Sequence, residues 1–228
     1  MSPIMKPQVI LHMMTTMDGR IIADRWPNDF DIEGLYMDIH KELAGDAWLV
    51  GATTMKEIAV GTPNPVSTQE CYSRTLWKAP NCIQSPYAVY LDRKGNVHLN
   101  IAETNGNPIV AVLVESVSDD YLAELRRDGI SYLFAGKTEI DIPLALSYLE
   151  RDFGVSRLLL QGGGVINGAF LDAGLIDEVY LSIMPFADGE SGTPTLFERQ
   201  KGMIEKFKLE SFRPLNHDIV QIHYSAQK

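Results

Sequence analysis

The sequence is poor in cysteine, in basic residues and in long apolar runs, and each shortage excludes a class of protein. Cys71 and Cys82 could form a bridge, but two cysteines are too few for a disulfide scaffold. The net charge of −10 argues against a nucleic-acid or acidic-membrane partner, because both need a basic surface. No apolar run reaches membrane-spanning length, and the first residues lack the pattern of a signal peptide. We therefore expect the protein to reside in the reducing environment of the cytoplasm.

The sequence also lacks the spacing of a metal site. The histidines, none of which has a ligand partner at metal-site spacing, are His12, His40, His98, His217 and His223. Neither cysteine belongs to a ligand motif, so we expect no metal ion. What remains is an ordinary composition, 45% hydrophobic and 22% charged, which is typical of a globular enzyme with a small-molecule substrate. The length of 228 residues predicts one domain over residues 1–228.

Strand-like and helix-like patterns alternate along the chain. Apolar runs predict strands at 9–15, 47–50, 87–91, 109–114, 131–134, 155–160 and 178–183, with a short strand at 21–23. Helical spacing predicts helices at 31–44, 53–59, 119–128 and 142–153, and another after the glycines that begin at residue 162. Residues 60–86 predict a long loop, and residues 207–212 and 219–224 an antiparallel pair. The pattern indicates an α/β fold: a mostly parallel mixed sheet, helices on both faces and a C-terminal antiparallel hairpin.

Residues 155–183 carry the clearest functional signal. A buried strand runs into Gln161 and the glycines Gly162, Gly163 and Gly164, and a helix with an apolar face formed by Val165, Ile166, Phe170 and Leu171 follows. Unpaired N–H groups and the helix dipole at such a start favour a phosphate, and glycine lets a bulky anion approach the backbone. The alternative is a plain glycine-rich turn between strand and helix.

The common phosphate-binding motifs do not fit this loop. Its glycines lack the G-x-G-x-x-G spacing of a dinucleotide fingerprint, and a Walker A Gly-Lys-Ser/Thr is absent. Gly51, Gly136 and Gly162 each follow a predicted strand. Because ligands of parallel sheets bind at the carboxyl ends of the strands, these three glycines together point to a ligand site there.

Three short motifs occur in one order along the chain. They are Met17-Asp18-Gly19-Arg20-Ile21; Asp46-Ala47-Trp48-Leu49-Val50-Gly51 followed by Thr54; and Gln161-Gly162-Gly163 followed by Leu175-Ile176-Asp177-Glu178. Together they resemble the pyrimidine reductases of riboflavin biosynthesis, which have a dihydrofolate reductase-like, three-layer fold. The resemblance covers nearly the whole chain, and it depends on all three motifs being in register.

The resemblance implies an NADPH-dependent reductase. It assigns the coenzyme diphosphate to the glycine loop. The coenzyme-binding residues that it implies in this loop and after the second strand are Gly51, Thr54, Gln161, Gly162, Gly163, Gly164 and Val165. Arg93, with help from Lys94, lies near the adenosine 2′-phosphate in this assignment, where a guanidinium suits the dianion and selects NADPH over NADH. Its alternative is a solvated turn charge. Gly136, beside Lys137, lines the coenzyme groove, or else is only a helix-entry loop.

The family's reaction delivers a hydride to the sugar carbon of a ribosylaminopyrimidine phosphate and opens ribose to ribityl. Several members carry a lysine on the first strand, six positions before the turn aspartate, and His12 stands there in this chain. Histidine can act as an acid near neutral pH, so His12 is a catalytic candidate, with a structural histidine as the alternative. Asp18 is the second candidate, at the substrate end of the cleft or simply in a tight turn with Gly19.

The chain departs from the family pattern on the substrate side. The family's D-D-P-x-L-x-x-R stretch after the threonine, which contacts cofactor and substrate phosphate, is replaced by residues 55–61. The family's glutamate before the glycines, a substrate contact, is Gln161 here. Lys56, Arg74 and Lys78 are other cations for an anionic substrate, or ordinary surface charges. The coenzyme half of the predicted site is therefore better supported than the substrate half.

Three functions stay open at this point. The first is reduction of a pyrimidine-, pterin- or carbonyl/imine-type compound with NADPH. The second is a dihydrofolate or dihydropterin reductase, which needs a carboxylate near the ring, such as Asp18 or Asp31. The third is a nucleotide-binding protein that has lost its chemistry. Because the C-terminal pair exposes an edge strand and the family often pairs it by dimerising, we also expect a homodimer.

Overall fold

The structure is a computed structural model that describes residues 6–59, 61–199 and 204–227. The chain divides into two compact units. The first contains Asp46–Ser156 with the described residues before Gln8, and the second contains Gln8–Gly45 with the described residues from Arg157 onward. A single domain over residues 1–228 stays a prediction. Among the described residues, no helix combines the length and the apolar character needed to cross a membrane.

The secondary structure follows the predicted order. Numbered along the chain, the elements are β1 (Gln8–Thr15), α1 (Ile32–Leu43), β2 (Ala47–Gly51), α2 (Ala52–Ile58), β3 (Tyr87–Asp92), β4 (Glu103–Thr104), β5 (Asn107–Leu113), α3 (Asp119–Asp128), β6 (Ser131–Phe134), α4 (Ile142–Phe153), β7 (Arg157–Leu160), α5 (Gly164–Asp172), β8 (Glu178–Ile183), β9 (Phe207–Pro214) and β10 (Val220–Ala226). The predicted strand at 21–23 is wrong. Arg20 forms only an isolated bridge with Thr195, and the N–H of Ile21 donates to the carbonyl oxygen of Pro194 at 3.2 Å, so no ladder develops.

In the first unit, β2, β3, β5 and β6 pair side by side in parallel, and short β4 pairs antiparallel with the start of β5. Val89, Val110 and Val112 on these strands have no exposed surface. Strands covered on both faces read as continuous apolar runs, which is why the sequence pattern located them. Cys71 and Cys82, both in this unit, are free thiols.

In the second unit, β1 lies between β7 and β8, and all three are parallel. β10 pairs antiparallel with β8, and β9 pairs antiparallel with β10 at the edge. The predicted C-terminal hairpin is confirmed. This topology brings the strand before the glycine loop directly beside β1, whose residues Val9, Ile10 and Leu11 are fully buried.

The helices of the described residues begin in two ways. Side-chain oxygens of Asp31, Ser118 and Asp141 accept hydrogen bonds from the backbone N–H groups that begin α1, α3 and α4. Asp31, a candidate carboxylate for a pterin ring, is therefore engaged in capping. By contrast, α2 and α5 begin after Gly51 and Gly163, and neither has a side-chain cap.

The described part of the long loop, residues 61–86, is held against α3 by Arg74. The Arg74 guanidinium donates to the carbonyl oxygens of Tyr72, Glu115 and Val117 and to the carboxylate of Asp119. Arg74 therefore acts as a structural anchor of the loop. Val60, the first residue of the predicted loop, lies outside the described residues.

Candidate functional site

The glycine loop connects β7 to α5 in the second unit. Gly163 precedes the first helical residue with φ 53° and ψ 146°, a conformation that side-chain-bearing residues rarely adopt. A Cβ built on Gly163 has no atom of the described residues within 4 Å, so the loop faces open space there. The backbone conformation, and not a close neighbour, therefore requires glycine at this position.

The first turn of α5 leaves its backbone donors open. The first helical hydrogen bond runs from the N–H of Asn167 to the carbonyl oxygen of Gly163 at 3.0 Å. Within the described residues, the N–H groups of Gly164, Val165 and Ile166 donate to no acceptor, and no side chain caps the helix. Three free amides at the positive end of a helix dipole form a site suited to a phosphate or diphosphate.

Two other glycines of this segment serve packing. A Cβ on Gly164 would lie 2.3 Å from the carbonyl oxygen of Thr195, and one on Gly168 would lie 2.3 Å from that of Glu198. The segment around residue 195 thus lies directly against α5, and the N–H of Glu198 donates to the Gly164 carbonyl oxygen at 2.9 Å. The expectation that the glycines exist to admit an anion is therefore incomplete, because Gly164 and Gly168 admit the protein's own backbone.

The predicted apolar face of α5 needs one correction. Phe170 has no exposed surface and Leu171 only 8%, but Val165 is 69% exposed. Val165 lies in the first turn, beside the open amides, and not on the buried face of the helix. It therefore belongs to the rim of the candidate anion site.

The structure brings His12, Gln161 and His40 together beside this loop. The Gln161 Nε2 atom lies 2.9 Å from the His12 Nδ1 atom and 2.9 Å from the His40 Nδ1 atom. His12 belongs to the centre of β1 and has no exposed surface, while His40 lies on α1. Tyr36, one turn earlier on α1, stacks on the His12 ring with centroids 4.3 Å apart and planes 15° apart.

Both imidazoles of this group are kept uncharged. Burial, and secondly the neighbouring His40, lower the pKa of His12 to about 3. Burial also lowers the pKa of His40, against the hydrogen bond from Gln161 that raises it. A neutral His12 holds no imidazolium proton near pH 7, so any proton it gives must come from the neutral ring. Its Nε2 atom is buried and has no hydrogen-bond partner among the described residues. His12 as the proton donor stays a prediction.

Sequence reasoning missed Tyr36 and His40 as site residues. The sequence indicates Tyr36 only as part of the predicted helix at 31–44, and His40 only as a histidine without metal-ligand spacing. The signal that could have identified them is their spacing of four residues, which places two aromatic side chains on one face of α1. Nothing in the sequence indicates that this face meets β1 at His12.

Asp18 has a structural task in the second unit. Its carboxylate accepts from the hydroxyl of Thr16 at 2.6 Å and from the N–H groups of Asp188 and Gly189 at 3.0 Å each. These hydrogen bonds, that of Thr16 first, hold the pKa of Asp18 far below its ordinary value. The ionised carboxylate joins the turn after β1 to the loop at 188–189. A place for Asp18 at the substrate end of the site stays a prediction.

The first unit contains the other predicted coenzyme residues. Arg93 lies in the turn after β3, and its guanidinium forms a half-exposed ion pair with Glu139. Gly136 has φ 107°, and a Cβ there would lie 2.1 Å from the carbonyl oxygen of Glu139. The structure therefore brings Arg93 and Gly136 to the same Glu139 loop. Gly51 ends β2, and Thr54 lies half-buried in the first turn of α2.

The three other candidate cations of this unit are used within the protein. Arg74 anchors the long loop, as described above. Lys78 donates to the carbonyl oxygen of Asp152 and lies over the ring of Phe153, and Lys56 donates to the Oδ1 atom of Asn96 at 3.2 Å. Each of these contacts is internal to the protein, which favours the alternative of structural and surface charges.

Solved structures share this fold. A pyrimidine reductase-like protein from Corynebacterium diphtheriae superposes with a TM-score of 0.72 at 16% identity, covering 97% of this chain and 92% of that chain. RibD from Acinetobacter baumannii superposes with a TM-score of 0.69 at 20% identity, covering 97% of this chain and 58% of that chain. The class of protein is thus an α/β protein with a dihydrofolate reductase-like, three-layer fold, as predicted.

The chain belongs to the RibD C-terminal domain family, whose sequence profile matches residues 7–221. A relative from Methanothermobacter thermautotrophicus, named 2,5-diamino-6-ribosylamino-4(3H)-pyrimidinone 5′-phosphate reductase, is 28% identical over 98% of this chain and 100% of its own length. A protein of the same name from Aquifex aeolicus is 25% identical over 84% of this chain and 82% of its own length. The resemblance inferred from the three motifs is confirmed.

Proposed function

We propose that this chain is an NADPH-dependent reductase that transfers a hydride to a small pyrimidine-type substrate. The observation that carries the proposal is the open first turn of α5, where three N–H groups have no acceptor among the described residues and follow Gly163, whose positive φ suits glycine. The reductase family to which this chain belongs implies a nicotinamide coenzyme, whose diphosphate is the kind of anion that such a turn accommodates.

The residues of the α5 turn fit that diphosphate. The N–H groups of Gly164, Val165 and Ile166 would donate to its oxygens, and the open space at Gly163 would admit them. The coenzyme would supply the hydride. The chain's own contribution is to fix the position of the diphosphate and therefore of the reacting groups.

The names of the relatives point to the substrate class. Relatives named as reductases of a ribosylamino-pyrimidinone 5′-phosphate match this chain over most of its length. We infer a substrate of that class, an aminopyrimidine bearing a ribose phosphate. The structure brings the polar side chains of Gln161 and His12 together next to the glycine loop. They are our candidates for contact with the substrate.

The coenzyme contacts of the first unit remain proposals. They are Gly51, Thr54, Arg93 and Gly136, each assigned from the family pattern. The ion pair with Glu139 shows that the Arg93 side chain extends towards the Gly136 loop and carries a partner that an anion could replace. Because exposed ion pairs contribute little, a phosphate dianion can compete for this guanidinium.

Titration and turnover test the proposal. We expect NADPH to bind to the purified chain by calorimetry, and to be oxidised with an aminopyrimidine ribosyl phosphate. A panel with dihydrofolate, a dihydropterin and an enone separates the alternatives. Turnover of the pterins alone would favour the dihydrofolate-type reductase, and coenzyme binding without any turnover would favour the nucleotide-binding protein. Absence of coenzyme binding would overturn the proposal.

We also propose that the chain forms a homodimer through the outer part of the second unit's sheet. Residues directly opposite each other on paired strands share one face, and the row Leu181, Ile222 and Phe212 crosses β8, β10 and β9. Phe212 is 70% exposed, and Leu209 on the same edge strand is 49% exposed. An exposed apolar edge is normally covered, and the strongly negative chain offers a second copy an uncharged surface here.

Light scattering at micromolar concentration tests the dimer. Wild-type protein should have twice the mass of the chain, and Phe212→Asp should give a monomer. Lys208→Asp, a charge change on the same strand but off the apolar row, is the control and should stay dimeric. A wild-type monomer would reject the proposal.

A further inference from the structure

Two of the positions at which this chain departs from its family pattern, His12 and Gln161, are hydrogen-bonded to each other. Several family members have a lysine where His12 stands, and the family pattern has a glutamate where Gln161 stands. In the structure, the carboxamide of Gln161 lies 2.9 Å from the His12 ring. Each of the two departures puts an uncharged side chain where the family has a charged one, and in this chain the two side chains are in contact.

Both N–H groups of the Gln161 carboxamide are engaged in hydrogen bonds. Its Nε2 atom carries two N–H groups, and the two acceptors within reach are the Nδ1 atoms of His12 and His40, both at 2.9 Å. Each ring therefore carries its proton on Nε2. Among the described residues, no group donates to the Gln161 Oε1 atom, which leaves one uncharged acceptor beside Gly162.

We propose that His40 is a positioning residue of this site: by accepting one N–H of Gln161 while His12 accepts the other, it fixes the carboxamide so that Oε1 is presented to a hydroxyl or amino group of the substrate. The identity of the substrate rests on the proposed function. The hydrogen-bond arrangement does not.

Three separate elements hold the carboxamide in place. Gln161 follows β7, His12 lies on β1 and His40 lies on α1, so the amide cannot rotate without breaking a hydrogen bond to one of two rings. Tyr36 supports the arrangement, because it stacks on His12 and its hydroxyl lies 3.4 Å from the His12 carbonyl oxygen. Such fixing of a binding group by surrounding side chains is what a positioning role requires.

The arrangement works only while both rings are neutral, since an imidazolium has no acceptor nitrogen. The groups that face His40 are His12 from β1, Gln161 from the loop after β7, and Lys41 on its own helix. Burial and Lys41 lower the pKa of His40 below its ordinary value of 6.5. The carboxamide should therefore stay fixed at neutral pH and be released in acid.

The first experiment needs no substrate. Long-range proton–nitrogen NMR of the full chain reports the tautomer of each histidine. We expect His12 and His40 both to carry the proton on Nε2, and Gln161→Leu to remove that preference at His40. A proton on Nδ1 of either ring would overturn the inference.

The second experiment is kinetic and compares His40→Leu with His40→Asn. An asparagine oxygen can replace the Nδ1 acceptor, whereas leucine cannot. We expect His40→Leu to lower kcat/KM by about tenfold with unchanged NADPH affinity, and His40→Asn to recover activity to within about twofold. His217→Asn, on the hairpin turn, is the control and should match the wild type.

The pH profile separates positioning from a merely structural role. Wild-type kcat/KM should fall in acid, at a pH below the ordinary imidazole pKa of 6.5, as His40 becomes protonated, and the fall should shift to lower pH in His40→Asn. Equal kcat/KM and equal pH profiles for wild type and His40→Leu would overturn the inference. If the wild type turns over no substrate at all, the proposed function fails, and the NMR tautomers alone decide on His40.

Discussion

Two strands of this protein are followed by turns with several consecutive backbone N–H groups outside any ladder, and the two turns are completed differently. After β3, the Asp92 carboxylate accepts from four consecutive N–H groups at 2.8–3.0 Å, those of Lys94, Gly95, Asn96 and Val97. The Tyr121 hydroxyl also donates to it at 2.9 Å. After β7, no described side chain accepts from the first N–H groups of α5. One turn is closed by the chain, and the other is left open.

The difference separates architecture from function. Asp92 is 1% exposed, so its turn is a finished internal anion site that fixes the backbone carrying Arg93. An uncapped helix gives up about 1 kcal/mol relative to a capped one. The open turn of α5 forgoes that stabilisation, which is expected where a ligand provides the missing acceptor.

Removing the internal anion should have the largest effect. Asp92→Ala leaves four N–H groups and the Tyr121 hydroxyl without their acceptor. We expect the free energy of unfolding in urea to fall by about 3 kcal/mol. Asp92→Asn, which retains one acceptor oxygen, should lose less than half of that. A loss below about 1 kcal/mol for Asp92→Ala would show that the turn does not depend on its carboxylate.

Acid should destabilise the second unit through His12, which must stay uncharged. The pKa of His12 falls from an ordinary 6.5 to about 3 in the folded chain. Between these values the unfolded chain binds a proton that the folded chain does not, so stability decreases as the pH is lowered. We expect a loss of about 2 kcal/mol from pH 6 to pH 4.5. Urea titrations of His12→Asn, which retains an acceptor for Gln161, should show a shallower pH dependence; parallel curves would contradict this.

Placing an acid at the open turn should make it resemble the closed one. Val165 is exposed in the first turn of α5, where an acidic residue is compatible with the helix dipole. Val165→Asp should weaken NADPH binding about tenfold by calorimetry, close to 1.4 kcal/mol, because the carboxylate repels the diphosphate. Val165→Asn, of similar size and without charge, should change the affinity less than twofold. Equal affinities for both variants would place the diphosphate elsewhere.

The sequence predicted what depends on local pattern. Continuous apolar runs located β3 and β5, and Ser118 with two aspartates predicted the start of α3. The sequence also predicted that α5 begins without a side-chain cap, because glycines precede the helix at the positions where a capping side chain would lie. The terminal hairpin followed from two alternating segments around a turn. Each of these features depends on neighbours within a few residues.

Contacts between distant residues could not be predicted in the same way. Nothing near His12 in the sequence indicates Gln161 or His40, which lie 149 and 28 positions away. Likewise, the packing role of Gly164 depends on the Thr195 carbonyl oxygen, and the strand expected at 21–23 failed because its neighbour offers one bridge. The contacts of His12 with Gln161 and of Gly164 with Thr195 depend on which strands and loops are neighbours in the fold, and only the structure shows this.

The smallest predicted effect is on coenzyme affinity and concerns Arg93, which lies in the closed turn at Asp92. Arg93 is half-exposed and paired with Glu139. A phosphate must compete with Glu139 for an exposed guanidinium, so the contribution of Arg93 to the binding free energy is small. We expect Arg93→Ala to weaken NADPH binding about fivefold, close to 1 kcal/mol, and to leave NADH affinity unchanged. Glu139→Gln frees the guanidinium and should strengthen NADPH binding up to twofold. If Arg93→Ala weakened both coenzymes equally, the side chain would be supporting the turn and not reading the 2′-phosphate.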